Sequence, residues 1–88
     1  MSWTVNLSKD AAKQLRRLPA DRQGQVVRAI GELCQDPLLG DVKPIKSGKF
    51  QGALRKRIGR YRIIFVLESS TRQIHLGAIL LRSESTYR

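Results

Sequence analysis

Between Lys43 and Arg62 the sequence carries eight lysines and arginines and not one aspartate or glutamate. Other scarcities narrow what the chain can be. A single cysteine, Cys34, excludes an intrachain disulfide. Because it falls within the apolar periodicity of a helix, it reads as a small core residue and not as a nucleophile. His75 is the one histidine, and no histidines, cysteines and carboxylates cluster at ligand spacing, so no metal and no cofactor are expected. A run of eighteen apolar residues is missing, which excludes a membrane-spanning helix. The opening "MSWTVNLSKD" lacks a basic start followed by an apolar stretch, so export is not expected and the cytoplasm is the expected compartment. No internal repeat or low-complexity segment is visible.

What is present is one small domain, expected to span residues 1–88, with 41% hydrophobic residues, enough for a single core. The net charge is +10, from 17 lysines and arginines against 7 aspartates and glutamates. Residues 1–42 contribute only +1 of this and residues 43–88 contribute +9. Charges kept for solubility normally alternate in sign, and these do not. Such asymmetry points to a polyanionic partner: RNA, DNA or an acidic protein segment.

Along the chain, "WTVNL" alternates Trp3, Val5 and Leu7 with Thr4 and Asn6, the period of a half-buried strand. Ser8 is placed to cap a helix over about residues 9–17, with Asp10 against the positive end of its dipole. Its apolar stripe is Ala11, Ala12, Leu15 and Leu18. Pro19 breaks it, and a second helix begins at Ala20 or Asp21. The stripe there is Val26, Val27, Ile30, Leu33 and Cys34, and Pro37 ends the helix after Asp36. Residues 37–52 read as a long connecting loop rich in Gly, Pro, Lys and Ser. Loops of this length in compact domains tend to be functional. Three strands follow, at about 53–58, 61–68 and 73–81. The expected fold is α+β: an antiparallel sheet of about four strands in the order β-α-α-β-β-β, with the helical hairpin packed on one face.

Gly59-Arg60 fits a two-residue hairpin turn of type II′, which needs positive φ at its first central residue. This fixes a register in which Ile58 faces Tyr61, Arg57 faces Arg62 and Arg55 faces Ile64. Arginines directly opposed on one sheet face repel each other, so an anion between them is inferred, and phosphate is the candidate. The other face of the hairpin carries Leu54, Ile58, Ile63, Phe65 and Leu67 and is where the helices should pack. Lys56 falls on that face too, and either snorkels to an edge or sits at a bulge. The third strand, "QIHLGAILL", is apolar on both parities and reads as central and covered, with His75 as a structural residue whose ring nitrogen is satisfied. At the C-terminus, Tyr87 follows Arg82 by five residues. Beside a basic groove, such a ring can stack on an unpaired base while arginines hold the phosphates.

Trp3 in an opening strand, "AAKQLRRLP", a second helix ending in "DP", "LRKRIGRYRIIF" and a closing Arg82 and Tyr87 together resemble the RelE/ParE superfamily of toxins over nearly the whole chain. The most specific element is Arg57, Gly59, Tyr61 and Arg62 to Phe65. The resemblance implies a microbial ribonuclease-like fold and a type II toxin neutralised by a cognate antitoxin, with which it forms a hetero-oligomer. Two activities occur in that superfamily: RelE-like cleavage of mRNA in the ribosomal A site, with the 2′-hydroxyl as nucleophile and no metal, and ParE-like inhibition of DNA gyrase. A non-catalytic basic RNA-binding module is the remaining alternative. The retention of Arg62, Arg82 and Tyr87 favours the ribosome-dependent endoribonuclease and implies that these three are catalytic. Lys46, Lys49, Arg55, Lys56, Arg57 and Arg60 are the expected phosphate contacts. Where some RelE-like enzymes have lysines in the preceding strand, this chain has Arg55 and Arg57. Arginine is a poor general base but a good clamp for a phosphorane. Proton transfer then falls to Tyr87, Lys56, Lys49 or the ribosome.

Overall fold

The first strand, β1 (Thr4–Leu7), runs into a helical hairpin of α1 (Lys9–Arg16) and α2 (Ala20–Gln35). Four strands follow: β2 (Val42–Pro44), β3 (Leu54–Ile58), β4 (Tyr61–Glu68) and β5 (Gln73–Leu81). This computed structural model describes residues 2–81. Ser8 caps α1 as expected, its Oγ accepting from the Ala11 amide at 3.0 Å. The α1 helix ends at Arg17, and α2 begins directly after Pro19 and closes at Asp36. The Oδ1 of Asp36 accepts from the Leu38 amide at 3.1 Å, turning the chain away from the helix.

All five strands form one sheet in the order β1-β5-β4-β3-β2. It is mixed, not antiparallel: β1 runs parallel to β5, and the other pairs are antiparallel. The topology explains the departure. The hairpin of helices carries the chain from β1 to the far edge, and β2 to β5 return across the sheet by antiparallel steps. The last of them arrives beside β1 pointing the same way. The extra strand, β2, lies in the expected loop. Three residues are too few to show a period, and its neighbours Gly40, Ser47 and Gly48 carry the composition of a turn.

Ala11, Val26, Ala29 and Leu33 of the helices pack on Tyr61, Ile63, Phe65, Ile74, Leu76 and Ile79 of the sheet. Val27, expected in the stripe, is instead half-exposed, and Ala29 takes its place. One residue past Val26 is a rotation of about 100°, which carries a side chain off the packed face. Cys34 is partly buried.

A β-bulge explains how β5 is apolar on both parities. Ile64 pairs with Ala78 and Phe65 with Leu76, leaving Gly77 as an extra residue. Ile74, Leu76 and Ile79 therefore face the helices, while Ala78 and Leu80 face the other way. There they join a second apolar cluster with Ile45, Phe50, Ala53 and Ile64. The segment 45–53 folds back over the sheet to supply it, closed by bonds from Ile45 N to Ala53 O at 2.9 Å and from Gly52 N to Ile45 O at 3.0 Å. The stretch read as a long loop thus consists of a short strand and a folded flap.

Candidate nucleic-acid interface

The hairpin register is the expected one. Ile58 pairs with Tyr61, Arg57 with Arg62 and Arg55 with Ile64. Gly59 has φ of 55°, as the first central residue of a type II′ turn requires. A Cβ there would come to 3.0 Å from the terminal nitrogen of the Gln25 side chain, which can swing aside, so the turn's φ is the constraint.

On the face turned away from the helices, two rows cross the sheet. One runs Lys43, Arg55, Ile64, Ala78, and the next runs Asp41, Arg57, Arg62, Leu80. Asp41 precedes β2 but continues its line, its carbonyl accepting from the Arg57 amide at 3.0 Å. Four cations and one carboxylate therefore share a patch two rows deep and three strands wide. Asp41 Oδ1 lies 3.3 Å from Arg55 Nη1, and Oδ2 lies 3.6 Å from Arg57 Nη1. Arg55 is largely covered, its side chain 14% exposed, whereas Arg57 and Asp41 remain more than a third exposed. The Nε of Arg57 is buried and has no acceptor.

Lys46 stands beside these rows. With Pro44, Ile45, Ser47 and Arg55 it lines an open cleft of about 270 Å³, where the flap meets the sheet. Lys49 is exposed further along the flap, its ammonium 5.6 Å from the Phe50 ring centroid, within cation–π reach. Arg60 is exposed at the tip of the β3–β4 turn. Arg55, Arg57, Arg62 and Lys46 are thus brought together, and Lys49 and Arg60 flank them.

Lys56 is not among them. It points to the helix side, is 3% exposed, and sits in a strand without a bulge. Its Nζ donates to the Leu39 carbonyl at 2.8 Å and pairs with Glu32 Oε1 of α2 at 3.0 Å. A buried ammonium needs such partners, and with both engaged on the far side of the sheet it reaches no phosphate on the arginine face. The proposed catalytic Arg82 and Tyr87 lie outside the described residues.

Sequence reasoning missed Asp41 and Lys43 as members of the patch. The signal available was the short alternation "DVK", in which apolar Val42 turns inward and its neighbours turn outward. His75 is more exposed than its apolar strand suggested. Its Nε2 lies 2.8 Å from Glu68 Oε1, and this hydrogen bond, helped by one from Thr71, holds the Glu68 carboxyl below the usual range. Among the described residues no group of three or more His, Cys, Asp or Glu converges to hold a metal ion, and no helix is long and apolar enough to cross a membrane.

Chemically, a row of guanidinium groups binds phosphate and stabilises charge that builds on it, but it does not shuttle protons at neutral pH. With Lys56 turned to the helices, the described residues offer guanidinium clamps and Lys43 on this face, and Lys46 and Lys49 at its margin.

No family model matches the sequence, and no curated protein matches it. The fold does have counterparts among solved structures. A chain of the toxin–antitoxin complex RelBE2 from Mycobacterium tuberculosis superposes with a TM-score of 0.81 at 25% identity, covering 93% of this chain and 100% of that one. A chain of the archaeal RelE–RelB complex from Pyrococcus horikoshii gives 0.80 at 22% identity, covering 97% and 100%. The isolated RelE toxin of Escherichia coli gives 0.76 at 12% identity, covering 96% and 88%. The likeness runs through nearly the whole of each chain, and the fold of this protein is RelE-like.

Proposed function

We propose that this chain is the toxin of a type II toxin–antitoxin pair and that it acts as a RelE-like, metal-independent endoribonuclease on mRNA in the ribosomal A site. The observation that carries the reading is the pair of cation rows, with Arg57 opposed to Arg62 and Lys43 opposed to Arg55 on a face the helices leave uncovered. Similarity to chains solved in toxin–antitoxin complexes supports the pairing with an antitoxin. The +9 of residues 43–88 favours an antitoxin whose contacting segment is acidic.

In the reaction, the 2′-oxygen of the ribose attacks the adjacent phosphorus while the bond to the 5′-oxygen of the next nucleotide breaks. The ends left are a cyclic phosphate and a 5′-hydroxyl. Negative charge builds on the non-bridging oxygens, and Arg62 and Arg82 donate to it while Arg55 and Arg57 hold neighbouring phosphates. The proton leaving the 2′-hydroxyl and the one reaching the 5′-oxygen pass through Tyr87, a lysine of the flap or the ribosome. Arginine is unsuited to either transfer.

Primer extension on cellular mRNA after induction of the chain tests the target. Cuts within translated codons are expected. An SOS response with intact mRNA would instead place the target at DNA gyrase.

A further inference from the structure

We propose that Asp41 is a built-in counter-anion: its carboxylate occupies the arginine site that an RNA phosphate takes, and it swings out to solvent when RNA binds. This rests on the nucleic-acid reading above and adds a regulatory contact to it.

Three observations carry the inference. The first is the quality of the existing pairs. Asp41 reaches Arg55 at 3.3 Å and Arg57 at 3.6 Å, one oxygen to each, longer than the distances of a strong charge-assisted bond. The second is the donor left over. Arg57 presents its Nη1 to Asp41 while its buried Nε has no acceptor, so the guanidinium keeps a donor that Asp41 does not serve. A planar carboxylate divided between two arginines offers each a single oxygen, whereas a tetrahedral phosphate brings more acceptor oxygens to the two guanidinium groups.

The third is how Asp41 is delivered. The Lys56 ammonium grips the Leu39 carbonyl at 2.8 Å and is itself held by Glu32 at 3.0 Å. Gly40 then turns the chain with φ of 84°, and any Cβ there would meet Lys56 Nζ at 3.2 Å. The Asp41 carbonyl is fixed by the Arg57 amide. The backbone is thus anchored on both sides of the α-carbon, while the side chain, 39% exposed, can rotate away without moving it. Ion pairs this long are weak, so a strand of RNA that brings several phosphates to the face can displace the carboxylate. A lone small anion has to compete with it unaided. The contact therefore favours chains of phosphates over free nucleotides and inorganic phosphate.

Binding of a short 2′-O-methyl RNA, which lacks the nucleophilic hydroxyl, tests this by fluorescence anisotropy at fixed salt. Asp41→Asn is expected to tighten binding roughly tenfold, as loss of a competing charge a few ångströms from the phosphate should. Asp21→Asn, which removes the same charge at the start of α2, is expected to change it less than about twofold because of screening. Combining Asp41→Asn with Arg55→Ala and Arg57→Ala should abolish the gain. If the two arginine substitutions weaken binding but Asp41→Asn gains no more than Asp21→Asn, the counter-anion is overturned and the nucleic-acid reading stands. If the arginine substitutions leave binding unchanged, the nucleic-acid reading falls and the counter-anion with it. Should Asp41→Asn not fold, NMR on the unsubstituted chain decides. The Asp41 carboxyl carbon and Arg57 Nε signals are expected to shift together as RNA is added, and an unmoved Asp41 signal at saturation overturns the proposal.

Discussion

The hydroxyl of Ser8 bonds to the carbonyl of Gly77 at 2.9 Å, joining the cap of α1 to the bulge of β5. The pairing of β1 with β5 stops at Leu7 and Leu76, and the Ser8 amide takes the Leu76 carbonyl at 3.0 Å. Beyond that point α1 substitutes for a strand. Ser8 Oγ serves Gly77, and Gln14 Oε1 accepts from the Ile79 amide at 2.7 Å. The two backbone groups that a shorter β1 leaves unpaired at the bulge are thereby satisfied.

Ser8→Ala is therefore expected to cost more than an isolated cap, about 2 kcal/mol from the lost cap and the lost bulge bond together. Gln14→Ala should cost about 1–2 kcal/mol by leaving the partly buried Ile79 amide without a partner. Urea denaturation checks both. A loss below about 0.5 kcal/mol in each would mean the bulge does not depend on α1.

The buried Lys56 predicts an asymmetry. Glu32→Ala leaves a buried ammonium with the Leu39 carbonyl alone and should cost about 1–3 kcal/mol, at the low end because Glu32 is half exposed. Lys56→Met removes the charge and keeps the bulk, leaving Glu32 to water, and should change stability by less than about 1 kcal/mol. The opposite order in denaturant melts would contradict this account of the pair.

The hairpin was legible because two signals agreed: Gly59 at a position demanding positive φ, and an alternation long enough to fix the faces. The helices were legible from Ser8, Pro19 and Pro37. The single error of a stripe, Val27 for Ala29, arose because alanine gives little hydrophobic signal although it packs as closely. The parity of β5 was hidden by Gly77, since a bulge reverses the faces without altering composition. Lys56 could be placed on the helix side but not partnered, because Glu32 and Leu39 are distant in sequence and meet only when α2 lies on the sheet. For the same reason the charge run named the arginine patch but not Asp41, which was counted with the other half of the chain.

A pH dependence follows from His75 and Glu68. The hydrogen bond from His75 lowers the folded-state pKa of Glu68, so its stabilising effect is present above the ordinary glutamate value and is lost as pH falls through the lower folded value. Denaturation of the unsubstituted chain and of Glu68→Gln across acidic pH should show a stability difference that shrinks as the pH falls below about 4. A difference that grows on acidification would contradict the pairing.

Phe50 ties the flap to the sheet. Phe50→Ala should cost about 2 kcal/mol, less than a fully buried phenylalanine, because the ring is only partly covered. By loosening the segment that holds Lys46 beside Arg55, it should also weaken RNA binding several-fold while the hairpin keeps its register. Chemical shifts of β3 and β4 that move as much as those of residues 45–53 would refute the local effect.

Single-turnover cleavage of mRNA on programmed ribosomes tests the central claim, that the arginine face clamps a phosphate during reaction. Arg62→Ala and Arg82→Ala are each expected to slow the chemical step roughly a hundredfold or more, with a smaller loss of binding, as removal of transition-state donors does. Tyr87→Phe at near-normal rate beside a slow Tyr87→Ala would assign the ring to stacking, and loss in both would assign the hydroxyl to proton transfer. Unchanged cleavage and growth arrest in Arg62→Ala, Arg82→Ala and Tyr87→Ala would show that these residues do not carry the reaction.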